Sequence, residues 1–285
     1  MAEFKDSLLS LTSFPDPTPV YIVDQAVEFS HLIGTRLSAL MFVLSRERVA
    51  RTHSLGERFI DVPGMIDEAV HKSAHEANRL LDYFENSAKK RGVYGQRFLK
   101  GTSVFPSPDP ITEHARLHDL TFMPVQNPIG LDELYTESVI FGSGRPTVLL
   151  PASLDKCPPP SLDIVALAWD YSRAAARALA DAMPILEKAK RVLVFTVMHE
   201  KPGTENRSSD RLDQHLRLHG VNATIENVDA GGRLIGSVIE NFVTANHVDM
   251  LVMGAFGHSR VREFVLGGAT RSILNHPPVP VLISH

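Results

Sequence analysis

The sequence predicts an α/β protein made of two successive doubly wound parallel sheets. Three observations carry that expectation. Short apolar runs alternate with helix-period segments along the whole chain, the order that builds parallel sheets. Those runs are nearly continuous in apolar residues, so both sheet faces are to be covered by helices. The triplet Pro158-Pro159-Pro160 then divides the chain into two stretches that repeat one order of elements.

Residues 1–151 form the first predicted domain, 152–162 a proline-rich linker and 163–285 the second domain. In the first, Ser7–Thr12 reads as a strand, Val20–Ile33 as a helix and Leu37–Leu44 as a strand. Met65–Arg91 reads as a long helix, Gly95–Leu99 as a strand, Ile111–His118 as a helix and Leu120–Val125 as a strand. Gly142-Ser143-Gly144 ends a further helix before the last strand, Arg145 to Leu150. In the second, Asp163–Asp170 is a strand, and Ser172 caps an alanine-rich helix running to Glu187. Arg191–Val197 is a strand, Ser209–His219 a helix, Ala223–Val228 a strand and Ile235–Ala245 a helix. Val248–Met253, Gly268–Asn275 and Val279–Ile283 complete the series as strand, helix and strand.

The densest chemical signal lies at the end. The apolar run Val248 to Met253 enters Gly254-Ala-Phe-Gly257. Nine residues follow before Gly267-Gly268-Ala269-Thr270 opens a helix. Glycines let backbone N–H groups approach an anion, and a helix N-terminus adds unpaired donors and its dipole. A strand, two glycine turns and a helix in this order form a phosphate cradle.

This segment resembles the signature of the universal stress protein family, G-x2-G-x9-G-[ST]. Gly254, Gly257 and Gly267 match it, while Gly268 stands where the family has Ser or Thr. Asp119 and Asp249 each precede a strand, as a similar aspartate does in the family. The resemblance implies two tandem Rossmann-like, adenine nucleotide hydrolase-like domains related by a pseudo-two-fold. It further implies ATP or a related adenine nucleotide in the second domain, with Mg²⁺ accompanying it. In that site Ala168, Trp169 and Asp170 end the first strand, with the aspartate toward the sugar. Val197 offers backbone to the adenine. Gly254, Gly257, Gly267 and Gly268 give backbone donors to the phosphates, His258 can donate to them, and Met253 and Ala269 belong to the same nucleotide site. Thr270 could replace the family's hydroxyl, though a helical Thr bonding its own backbone is the plainer reading. The last strands are expected to pair, Val148, Leu149 and Leu150 with Val281, Leu282 and Ile283, giving a pseudo-dimer inside one chain and a possible homodimer beyond it.

The first domain has no such loop. Gln126-Asn-Pro-Ile-Gly130 holds one glycine, and Asp132 and Glu133 follow where they would repel a polyphosphate. Its place of Asp170 is taken by Thr12-Ser13. For Asp170 a helix-capping role competes with the ligand role. Arg260 and Arg262 either screen a triphosphate or solvate a loop, and the two readings stand level.

Composition bounds the function. At 285 residues with 44% hydrophobic and 22% charged content, the chain is expected to be a soluble, cytoplasmic protein. No apolar run reaches membrane-spanning length. A formal charge of −4 argues against nucleic acid as a partner. The single Cys157 lies in the linker and forms no internal disulfide. His71/His75, His114/His118 and His215/His219 have i,i+4 spacing, and Asp67 four residues before His71 would complete a triad, but no cysteine or third helix closes a shell, so all three pairs read as solvated faces and no metal site is expected.

The function expected is a stress-response regulator that binds an adenine nucleotide and hydrolyses it slowly or not at all. No catalytic base or nucleophile–histidine pair stands beside the loop. One alternative is a structural or signalling dimer without nucleotide, favoured by Gly268 and by the bulk of Trp169. An ATP-splitting enzyme on the same sheet is the weaker alternative, since no glycine follows the first strand.

Overall fold

The computed structural model describes residues 3–46, 62–102, 108–126, 131–152, 159–198, 209–255 and 268–285. In chain order the elements begin β1 (Asp6–Thr12), α1 (Val20–Ile33), β2 (Arg36–Leu44), α2 (Val62–Arg91) and β3 (Tyr94–Thr102). They continue with α3 (Asp109–Arg116), β4 (Leu120–Val125), α4 (Leu131–Gly142) and β5 (Thr147–Pro151). The second series is β6 (Ile164–Ala168), α5 (Arg173–Leu186), β7 (Arg191–Met198), α6 (Asp210–Leu218), β8 (Ala223–Asp229), α7 (Ile235–Ala245), β9 (Met250–Gly254), α8 (Gly268–Asn275) and β10 (Val281–Ser284).

The strands form a single sheet in the order β3-β2-β1-β4-β5-β10-β9-β6-β7-β8. The two expected sheets are thus halves of one. Within each half all neighbours are parallel, and β5 and β10 meet antiparallel at the centre. There Val281 stands opposite Leu149, Leu282 opposite Val148 and Ile283 opposite Thr147.

The halves can be superposed through their hydrogen bonds. Asp119 N–H donates to Asp6 O, and Asp249 N–H donates to Ile164 O, both at 2.8 Å. Thr121 N–H donates to Pro146 O and Leu251 N–H to Pro280 O. Each aspartate also accepts backbone N–H groups at the start of the neighbouring strand. Asp119 receives Lys5 and Asp6, and Asp249 receives Ile164. These bonds set Asp6 equivalent to Ile164, Asp119 to Asp249 and Pro146 to Pro280. Val148 and Leu282 are then equivalents facing each other.

Each sheet face carries one apolar core that runs through both halves. On one face α1, α2, α5 and α6 pack around Phe29, Phe84, Phe122, Leu167 and Leu282. On the other α3, α4, α7 and α8 pack around Phe195, Phe242, Tyr135 and Ile283. Side chains bridge the halves on both faces. Lys188 Nζ donates to Ile33 O at the end of α1, at 2.5 Å. That helix closes on Gly34, whose φ of 79° suits glycine. On the opposite face Arg271 lies 3.5 Å from Glu133, and the Phe141 and His285 rings are 5.0 Å apart.

Element boundaries differ from expectation where side chains make the turns. β6 stops at Ala168, two residues before the expected Asp170, because Asp170 itself builds the turn that follows. β9 begins at Met250, since Val248 and Asp249 follow a turn with His247 at φ 50°. The expectation of solvated histidines is overturned at His118. It is 5% exposed, and its Nδ1 lies 2.7 Å from His114 O. Burial follows because its ring packs at the edge of Phe98 and beside Asp6.

Candidate functional site

The strands β6 and β9 are neighbours, yet their following helices leave to opposite faces, α5 to one core and α8 to the other. Open parallel sheets bind ligands beyond the strand ends at such a switch point. Asp170 and Gly254 stand there.

The turn after β6 is made by its own side chains. Trp169 N–H still donates to Phe195 O at 2.9 Å, as the last rung of the sheet. Asp170 Oδ1 then accepts the Ser172 N–H at 2.9 Å, and Tyr171 takes φ 62°. Ser172 caps α5 as expected, its Oγ accepting Ala175 N–H at 3.1 Å. Asp170 therefore shapes the helix start. The Trp169 ring lies 5.7 Å from that of Tyr171 and packs partly against the core under α5, with Nε1 buried and unpartnered among the described residues.

Gly254 ends β9 against the first turn of α5. A Cβ there would fall 2.4 Å from the Ala174 carbonyl carbon and 2.5 Å from Ala175 N. No side chain fits, because the neighbour is backbone. The glycine thereby draws the N-terminus of α5 to the end of β9.

Val197, Met253 and Ala269 join one apolar cluster on the opposite face, with Met253 buried. Thr270 is buried with Ile273 and Leu274, so it lies on the core face of α8. Space around Gly268 is open: a Cβ there would meet no described atom within 4 Å. The turn residues Ala168, Trp169, Asp170 and Gly254 are thus brought together, and Val197, Met253 and Ala269 share the neighbouring face. Gly257, His258, Gly267, Arg260 and Arg262 lie outside the described residues, as does Cys157.

Two residues escaped the sequence reading. Arg173 is the first residue of α5 and exposed, and the helix-start signal at Ser172 pointed directly at it. His285 follows Ser284, which pairs with Gly254. Burial holds the His285 imidazole below its ordinary pKa, and the Arg173 charge adds to the effect. Among the described residues no three His, Cys, Asp or Glu side chains gather for a metal.

The first half shows what the same place looks like when it is filled. By the equivalences above, Thr12 takes the position of Asp170, Phe42 that of Val197 and Pro124 that of Gly254. Phe42 is 7% exposed. Beside it a buried relay runs from Leu44 N–H to Ser73 Oγ, from Ser73 to Ser13 Oγ, and from Ser13 to Phe42 O. The Ser13 proton is committed to Phe42 O, so Ser73 must be the donor between the two hydroxyls.

Comparison with known proteins agrees with this architecture. Residues 162–285 match the model of the universal stress protein family. A curated universal stress protein of Synechocystis is 49% identical over 37 residues, a stretch that spans 13% of this chain and 13% of that relative. A universal stress protein from Archaeoglobus fulgidus superposes with a TM-score of 0.70 at 16% identity, covering 97% of this chain and 95% of its own. A functionally unknown protein from Pseudomonas aeruginosa superposes at 0.57 and 12% identity, covering 99% and 92%. At these identities the two structures speak for the fold alone. Among the described residues no helix is long and apolar enough to cross a membrane. Residues 162–285 thus form a domain of the universal stress protein family.

Proposed function

We propose that the chain is a cytoplasmic stress-response regulator that holds ATP or a related adenine nucleotide in the second-half crevice, with slow or no hydrolysis. One observation carries the reading. At equivalent strand ends, Thr12, Phe42 and Pro124 in the first half give way to Asp170, Val197 and Gly254 in the second. A bulky ring becomes a smaller side chain, a proline becomes a glycine, and a hydroxyl becomes a carboxylate able to accept from a ribose. The G-x2-G-x9-G segment is present in that half alone. Asp170, Val197 and the backbone around Gly254 then hold the nucleoside. Gly257, His258, Gly267 and Gly268 border the phosphates, Ala269 stands on the side of Val197, Thr270 supports the helix from the core side, and Arg173 adds positive charge. Mg²⁺ would arrive with the nucleotide.

In the same reading residues 1–151 and 163–285 are two domains, and the β5–β10 seam makes them an internal pseudo-dimer. The first domain serves as scaffold.

A second reading, a structural or signalling member without ligand, is favoured by the capping bond of Asp170 and by Gly268. The two are separated by the nucleotide content of the purified chain. Acid release and mass analysis should yield an adenine nucleotide, and added ATP with Mg²⁺ should change the fluorescence of Trp169, the single tryptophan. A chain that is empty and also fails to bind ATP with Mg²⁺ by calorimetry would overturn the nucleotide reading.

A further inference from the structure

The crevice contrast extends to the helices that follow β4 and β9. Among the described side chains of α4 the buried positions are Tyr135, Thr136, Val139 and Ile140. In α8 they are Thr270, Ile273 and Leu274. The two patterns superpose with Thr136 on Thr270, Val139 on Ile273 and Ile140 on Leu274. Tyr135 then falls on Ala269.

Tyr135 is 8% exposed, and its ring centroid lies 5.8 Å from that of Phe42 at an interplanar angle of 44°. Phe42 belongs to β2, whereas α4 follows β4, and β1 lies between those two strands. The tyrosine ring therefore reaches across the end of β1, over the switch point of the first half. Met123 and Val125, at the end of β4, belong to the same buried cluster. An aromatic ring packed over strand ends between a helix N-terminal turn and a neighbouring strand occupies the place a planar ligand ring would take. In the second half the corresponding pair is Val197 and Ala269, and both are only partly buried.

We propose that side-chain volume at the Tyr135/Ala269 pair decides which half takes a ligand. Tyr135 is the first half's built-in occupant, and Ala269 leaves the equivalent space in the second half for a planar heteroaromatic ring. This rests on the nucleotide reading above and makes it quantitative, at one site per chain. Without a glycine loop, a first half relieved of its tyrosine would accept an uncharged nucleoside in preference to a polyphosphate.

Calorimetry on the full chain with ATP–Mg²⁺ and with adenosine tests this. Wild type should bind one equivalent. No binding at all would sink the nucleotide reading, whereas two equivalents would sink the present proposal and leave that reading standing. Ala269→Tyr should lose at least tenfold in affinity with its melting curve intact. Ala269→Leu provides a smaller step should the larger ring disturb folding, and its loss should be intermediate. Tyr135→Ala should gain a second, weaker adenosine site, with its lowered melting temperature partly restored by adenosine. A folded Ala269→Tyr chain that binds like wild type, or a folded Tyr135→Ala chain indifferent to adenosine, would overturn the proposal.

Discussion

The turns that leave β1 and β6 join the same two elements by opposite chemistry. After β1 the chain takes a longer route that closes on itself. Thr18 N–H donates to Thr12 O, Thr12 N–H donates to Thr18 Oγ1, and Thr12 Oγ1 donates to Asp16 O. Helix α1 then starts at Pro19 with no side-chain cap. After β6 four residues suffice, with Asp170 and Ser172 as acceptors and Tyr171 held at positive φ. The first turn is closed by bonds between Thr12, Asp16 and Thr18, and none of its residues takes positive φ. The second is short, uses a left-handed tyrosine and requires a glycine on the facing strand. Strained backbone persists where surroundings over-determine it, and such places concentrate at functional sites. Here it coincides with the half that carries the glycine signature.

The sharpest way to break this contrast is to exchange the facing residue. Gly254→Ala should destabilise by about 1–3 kcal/mol or more, the cost of overpacking against a neighbour that cannot move aside. The clash is with the α5 backbone at 2.4 Å, not with a flexible side chain. Pro124→Ala, at the equivalent place, should cost much less. Denaturant midpoints of the two variants decide it. Equal losses would mean that Gly254 is not set by the approach of α5.

A smaller effect separates the two helix starts. Ser172→Ala removes the side-chain bond that caps the first turn of α5, and should cost about 1 kcal/mol. Substituting Pro19 by Ala removes no capping bond, because α1 has none. Thermal melts should show a drop of a few degrees for the first variant and a lesser one for the second. If Ser172→Ala melts like wild type, Asp170 alone holds the turn.

Much of this architecture was legible because it depends on local pattern. The β4 run, the α1, α7 and α8 boundaries and the Ser172 cap follow from hydrophobic period and capping chemistry, and those are written in adjacent residues. The pairing of Val148 with Leu282 was foreseeable only through resemblance, since strand pairing across halves leaves no local trace. The role of Gly254 was half legible. Its presence after a strand announced close approach, but the sequence could not say whether an anion or the Ala174 backbone does the approaching. The burial of His118 was hidden for the same reason. An i,i+4 pair fixes which helix face it shares, and tertiary packing against Phe98 decides whether that face is wet. Tyr135 carried no signal at all until α4 could be laid on α8.

The least costly break lies at the seam. The superposition that pairs Tyr135 with Ala269 also makes Glu137 and Arg271 equivalent, so the pseudo-two-fold relates opposite charges. Two identical halves would place like charges there, whereas a tandem chain can differ at the two positions. Arg271 is 61% exposed and Glu133 20%, so their pair is worth less than about 1 kcal/mol. Glu137 is more telling. Burial raises its pKa above the ordinary carboxylate value, the Glu133 charge raises it further, and Arg271 pulls it back. A carboxyl raised in the folded state binds its proton more readily there than in the unfolded chain. Its ionised form therefore opposes folding at neutral pH, and the penalty fades as pH falls through the raised value toward 4.5. Glu137→Gln should stabilise the chain slightly at pH 7 and not at acid pH, and Arg271→Gln should enlarge that benefit. Melting temperatures of both variants and their double across that pH range provide the measurement. A Glu137→Gln gain that is the same at every pH would assign the effect to packing in place of charge, and would remove the seam's claim to tell one half from the other.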